Sequence, residues 1–156
     1  MKLLKLIKVD NWFSRSINLE RDKSSIDAIN AYVPTSTAIK TLRLILNTLN
    51  NSKISRSWSL IGPYGSGKSS FGIFLNALLQ PSSSAQFKLA IDKIAEIDSD
   101  LSKAYFLKLK NSDGFLNVLI TGSYEGLTKK LFTALELVIK ESCLETKLKN
   151  KLLVFK

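Results

Sequence analysis

The run Gly62-Pro63-Tyr64-Gly65-Ser66-Gly67-Lys68-Ser69 occupies every fixed position of G-x-x-x-x-G-K-[ST], the pattern of a phosphate-binding loop, or P-loop. A polyphosphate carries several negative charges. Successive backbone N–H groups that open into a helix N-terminus offer it donors together with the positive end of a dipole. Gly62, Gly65 and Gly67 let the backbone turn without a Cβ in the way. Lys68 is expected to reach the β- and γ-phosphates, and the Ser69 hydroxyl to sit on a bridging Mg²⁺. Ser70 follows as a second helix-start hydroxyl. The candidate nucleotide-contacting residues are Gly62, Pro63, Tyr64, Gly65, Ser66, Gly67, Lys68, Ser69 and Ser70, with Ser69 as the metal ligand and ATP with Mg²⁺ as the cofactor.

Such a loop should follow a strand and open a helix. Upstream, Trp58-Ser59-Leu60-Ile61 is a short apolar run ending in Gly-Pro, which reads as a buried parallel strand. Downstream, Phe71, Phe74, Leu75, Leu78 and Leu79 recur at the spacing of one helix stripe as far as about Gln80, before Pro81 and Ser82-Ser83-Ser84.

The rest of the chain is arranged around this unit. Met1 to Lys8 breaks apolar pairs with Lys2, Lys5 and Lys8, which fits neither a secretion signal nor a membrane span and suits a short strand or helix on the core, with an amphipathic surface anchor as the alternative. Residues 11–30 hold no period and read as irregular. Thr35 or Ser36 is placed to cap a helix with the stripe Ile39, Leu42, Leu46 and Leu49, ending near Asn50. Phe87, Ala90, Ile91, Ile94 and Ile97 trace another helical face, interrupted or ended around Asp98 to Asp100, and a further helical piece runs from Leu101 to about Lys110. Phe115 to Thr121 reads as a second buried strand, after which Ser123 caps a helix with Leu127, Leu131, Ala134, Leu135 and Val138 on one face.

Two strand-then-helix units with long crossovers imply an α/β fold: the P-loop three-layer arrangement with a mostly parallel sheet, incomplete at the C-terminus, where Leu152 to Phe155 begins a third strand. Residues 1–56 are then a lead segment and helix, and residues 57–156 a partial nucleotide-binding domain. Helix faces without a full layer to cover them favour self-association or a larger complex.

Composition narrows the chemistry. There is no histidine and only one cysteine, Cys143, so the chain holds no Cys/His zinc site, no histidine general base and no internal disulfide. A reduced, cytoplasmic setting follows by default. The net charge of +10 permits a nucleic-acid partner, but all except four of the 23 basic residues are lysines spread along the chain, as on a solvated surface. The lysine-rich end, Lys147, Lys149, Lys151 and Lys156, is the best candidate for backbone phosphates.

Hydrolysis of ATP normally needs a second acid at a strand end and a group that orients water. No run of four apolar residues leads into such an acid. Asp92, Glu96, Asp98 and Asp100 read as the wet face of helices, and Arg15, Arg21, Arg43 and Arg56 have no assignable role as an arginine finger. ATP turnover by this chain alone is therefore expected to be negligible.

Tyr32-Val33-Pro34-Thr35, the stretch Trp58 to Phe71 and Val118 to Ser123 together resemble the N-terminal region of large bacterial ATP-binding proteins of the AAA-type or STAND-like P-loop class, some of them encoded in anti-phage defence loci. The resemblance implies ATP binding as the nucleotide-binding portion of an ATPase, with Tyr32 to Thr35 over the adenine. The loop also resembles that of small P-loop kinases. Those begin almost directly with the loop strand, whereas residues 1–61 precede it here, and no arginine follows Arg56 to hold an acceptor. A nucleotide-binding module without hydrolysis is the remaining alternative.

Overall fold

The computed structural model describes residues 16–51, 53–122 and 124–142. The expectations placed on Met1 to Lys8, Ser123, Cys143, the terminal lysines and Leu152 to Phe155 lie outside these residues. The chain divides into one unit ending at Gly114 and a second beginning at Phe115.

In the first unit a short α1 (Leu19–Asp22) and α2 (Ile26–Ala31) fill the stretch that reads as irregular. Helices of four and six residues are too short to display a 3.6-residue stripe, but their caps are local. The Asn18 side chain accepts from the Arg21 N–H, the Asp22 carboxylate accepts in return from the Asn18 N–H at 2.9 Å, and the Ser25 hydroxyl accepts from the Ala28 N–H.

The longer α3 (Ser36–Asn50) starts where the sequence places it, with Thr35 as the cap, and buries Ala38, Ile39, Leu42, Ile45, Leu46 and Thr48. The phosphate loop leads into α4 (Lys68–Leu78), the centre of the unit, with Phe71, Ile73, Phe74, Asn76, Ala77 and Leu78 buried. Ser84 caps α5 (Ala85–Ala95) and Asp98 caps α6 (Ser99–Leu109), so the expected break falls at Asp98.

One core gathers Ile29, Leu42, Phe74, Leu78, Phe87, Ile94, Leu101 and Tyr105, all almost wholly removed from water. Each large apolar side chain so buried stabilises the fold by roughly 1.5–3 kcal/mol. Polar ties join the helices: the Asn76 amide donates to the Lys23 carbonyl at 3.0 Å and the Ser102 hydroxyl to the Ile91 carbonyl at 3.1 Å. Gly114 closes the unit at φ +80°, where a Cβ would lie 2.6 Å from the Pro81 nitrogen.

The expected parallel sheet is not what these residues build. Seven helices and no strand form among the described residues, so the fold is all-helical rather than a three-layer α/β arrangement. Trp58 to Ile61 has no regular secondary structure and no ladder pairs it; Trp58 and Leu60 are about half exposed, and Ile61 is 95% exposed. The reason is physical. A short apolar run reports only that a segment can be buried, whereas a strand exists through a neighbour's hydrogen bonds. The apolar sides of α4, expected against a sheet, are covered by α1, α2 and α5.

In the second unit, Phe115 to Gly122 likewise has no regular secondary structure and is not a strand. It leads to α7 (Leu127–Glu141), whose N-cap is Gly126 with no side-chain cap. The stripe of α7 is not a core face: Leu127 and Leu131 are exposed, Ala134, Leu135 and Val138 are half-buried, and no residue of the helix is buried. The Lys130 ammonium donates to the Thr121 carbonyl at 3.0 Å, and Lys129 pairs with Glu125 one helical turn away. Among the described residues, no helix is long and apolar enough to cross a membrane.

Candidate phosphate-binding loop and cleft

Two glycines shape the loop. Gly65 and Gly67 both lie at φ +79°, a left-handed conformation that an L side chain adopts only at a cost of roughly 1–2 kcal/mol. Gly65 completes the turn Pro63-Tyr64-Gly65-Ser66, closed by the Ser66 N–H on the Pro63 carbonyl at 3.4 Å. Gly67 is the N-cap of α4, and its carbonyl accepts from the Phe71 N–H at 2.8 Å. Glycine has no side chain with which to cap, so the first-turn N–H groups of α4 stay available to an anion. At Gly62, a Cβ would stand 3.0 Å from the Ser66 hydroxyl, so a side chain there would crowd the loop from within.

The Lys68 ammonium folds back over this turn. It donates to the Gly62 carbonyl at 2.8 Å, the Pro63 carbonyl at 2.6 Å and the Ser66 hydroxyl at 3.2 Å. The cation is thus held at the centre of the loop, beside the donors of the helix start.

The loop forms one wall of an open cleft of about 690 Å³. Of the candidate residues, Gly62, Pro63, Gly65, Ser66, Gly67, Lys68 and Ser70 line it, whereas Tyr64 and Ser69 do not. The opposite wall joins Tyr32, Val33 and Thr35 to Thr37, Ala38 and Thr41 on the first turns of α3, so the loop and the Tyr32–Thr35 segment share one space. Tyr32 is held there by Phe74, with ring centroids 4.7 Å apart, and burial pushes its phenol up to about 12. Two hydroxyls of this wall serve the backbone: Thr35 accepts from the Ala38 N–H, and Thr41 donates to the Thr37 carbonyl.

Among the described residues, Lys68 is the one charged residue lining the cleft. Asp92, Glu96 and Asp100 are exposed and do not line it. Asp98 is not a simple wet-face residue: it pairs with Arg43 across 55 positions of sequence and caps α6. Arg21 is engaged by Asp22 and the Ser16 carbonyl, Arg56 lies outside the cleft, and Arg15 lies outside the described residues.

Sequence reasoning missed Ile17, which adds an apolar patch to the cleft beside Ala28 and Ala31. The capping pattern of Asn18 with Asp22 was the available signal for an ordered turn there. Comparison with protein-family models, with curated proteins and with solved structures finds no match to the chain.

Proposed function

We propose that the chain binds a nucleoside triphosphate, ATP with Mg²⁺, through the loop Gly62 to Ser70. The observation that carries this reading is the position of Lys68, whose ammonium is gathered over the turn by three oxygens beside an uncapped helix start. Phosphate binding by such a loop draws on backbone donors, the dipole and the lysine, so it does not depend on a flanking sheet.

The triphosphate lies along the loop, and the base lies toward Tyr32 and the apolar residues Ala28, Ala31 and Ala38. The shared cleft supports this orientation, because its lining includes both the Lys68 ammonium with its loop and Tyr32 with the apolar Ala28, Ala31 and Ala38. The Ser69 hydroxyl is the proposed metal ligand, a role that its place directly after Lys68 in the motif supports.

The resemblance to AAA-type and STAND-like ATP-binding proteins supports a cytoplasmic role as the nucleotide-binding portion of an ATPase. Among the described residues no carboxylate lines the cleft, so in this reading turnover needs an acid brought to this site.

Calorimetric titration of the chain with ATP and with ADP, each with Mg²⁺, tests the reading. The wild type should bind both, and Lys68→Ala should weaken ATP more than ADP, because one lysine reaches the terminal phosphate while backbone donors hold the inner ones. Absence of binding, or an equal loss for both nucleotides, overturns it.

A further inference from the structure

Tyr64 stands at the tip of the phosphate loop, 93% exposed, and so owes its place to no core packing. Its hydroxyl nevertheless lies 3.1 Å from the hydroxyl of Ser16, across 48 positions of sequence. Ser16 is a fixed partner. Its carbonyl accepts from the Arg21 guanidinium at 2.8 Å, and the same guanidinium makes two bonds of 3.0 Å to Asp22. Asp22 is only 3% exposed and also accepts from the Asn18 N–H.

This turn is seated on the helix that carries the loop. Leu19 covers Gly72 of α4 so closely that a Cβ on Gly72 would lie 2.7 Å from a Leu19 methyl. The contacts therefore close a ring from the loop tip through Ser16, Arg21 and Asp22 to Leu19 and Gly72, and back along α4. Ile17, inside the ring, lines the cleft.

We propose that Tyr64 is a positioning residue for the phosphate loop, acting through Ser16, and that residues 16–22 form a strap which holds the Pro63–Ser66 turn in its binding shape. The inference rests on the nucleotide reading above. Lys68 braces the turn from inside, but a terminal phosphate must draw its ammonium away from the Gly62 and Pro63 carbonyls. The Tyr64–Ser16 bond is then the side-chain tie that keeps the turn from splaying.

The test is a double-mutant cycle on MgATP affinity, measured by calorimetry on the full 156-residue chain. Tyr64→Phe and Ser16→Ala should each weaken binding roughly two- to fivefold, the low end expected for an exposed neutral hydrogen bond. The double variant should be no weaker than either single one. Ser16→Thr, which keeps the hydroxyl, should restore affinity, and thermal unfolding of all the variants should stay at the wild-type value. Losses that add, a loss in Tyr64→Phe without one in Ser16→Ala, or a threonine that fails to rescue overturns the strap. If the wild type binds MgATP and both single variants match it, the strap falls and the nucleotide reading stands. If the wild type binds no nucleotide, that reading falls and the strap with it.

Discussion

The hydroxyl of Tyr105 donates to the carbonyl oxygen of Leu42 at 2.8 Å, tying α6 to α3 inside the core, one residue along from Thr41 in the cleft wall. Burial raises the Tyr105 phenol well above its ordinary value, and Tyr32 is raised for the same reason, to about 12. Both shifts favour the neutral phenol in the folded chain. Their contribution to stability is complete below the unfolded value near pH 10. It is lost as pH rises from there toward the folded value, because the unfolded chain gives up its protons first. Urea midpoints measured between about pH 8 and pH 11 should fall at the upper end, with a shallower fall in Tyr105→Phe and Tyr32→Phe. The variants serve as each other's control for lysines titrating in the same window. An identical slope in wild type and both variants contradicts the assignment. At neutral pH, Tyr105→Phe should also cost roughly 1 kcal/mol through the lost hydrogen bond.

Two glycines should respond unequally to alanine. At Gly114, a Cβ meets the Pro81 nitrogen at 2.6 Å and the Gln80 carbonyl carbon at 2.8 Å, and φ is +80°, so backbone strain and a backbone clash add. Gly114→Ala should lower unfolding stability by about 2 kcal/mol or more. At Gly72, the close atom is a methyl at the end of the Leu19 side chain, and alanine gains about 1 kcal/mol of helix propensity. Gly72→Ala should be near neutral. Equal losses at the two sites in chemical denaturation would rule out this distinction.

Asp98 has two duties that substitution can separate. Asparagine keeps an oxygen for the Leu101 N–H but abolishes the charge facing Arg43, whereas alanine removes both. Asp98→Ala should cost about 1 kcal/mol more than Asp98→Asn, the typical worth of an N-cap. If the asparagine variant is as unstable as the alanine variant, the ion pair and not the cap is the larger contribution.

The magnesium dependence of nucleotide binding distinguishes two neighbouring hydroxyls. Ser69→Ala should reduce the loss of ATP affinity seen when Mg²⁺ is removed, and Ser70→Ala should leave that loss unchanged. Ser70 lines the cleft and Ser69 does not, so the reverse result would assign the metal to Ser70.

Helices with long stripes or clear caps were readable from residue order. Thr35 capping α3, the break at Asp98 and the helix after Lys68 all depend on contacts within a few residues. Two kinds of feature were not readable. Trp58 to Ile61 and Phe115 to Thr121 carry the composition of strands, but pairing is a property of partners, and no periodicity reports whether a partner is present. Likewise Arg43 with Asp98, Tyr105 with Leu42 and Tyr64 with Ser16 are joined by the fold across long stretches of chain, which local patterns cannot register. The loop itself was legible, since its glycines and lysine work through nearest neighbours. Its union with Tyr32 and Thr41 in one cleft was not, beyond what a resemblance implied for Tyr32 to Thr35.

Because Lys68 already donates to Gly62, Pro63 and Ser66, the proposed phosphate binding at this loop would be an exchange of oxygens around a single cation. Those three oxygens are neutral. A terminal phosphate carrying nearly two negative charges competes for the ammonium more strongly than chloride or a lone carboxylate does. On the proposed nucleotide reading, the loop would therefore select for charge density before any contact with the base is made.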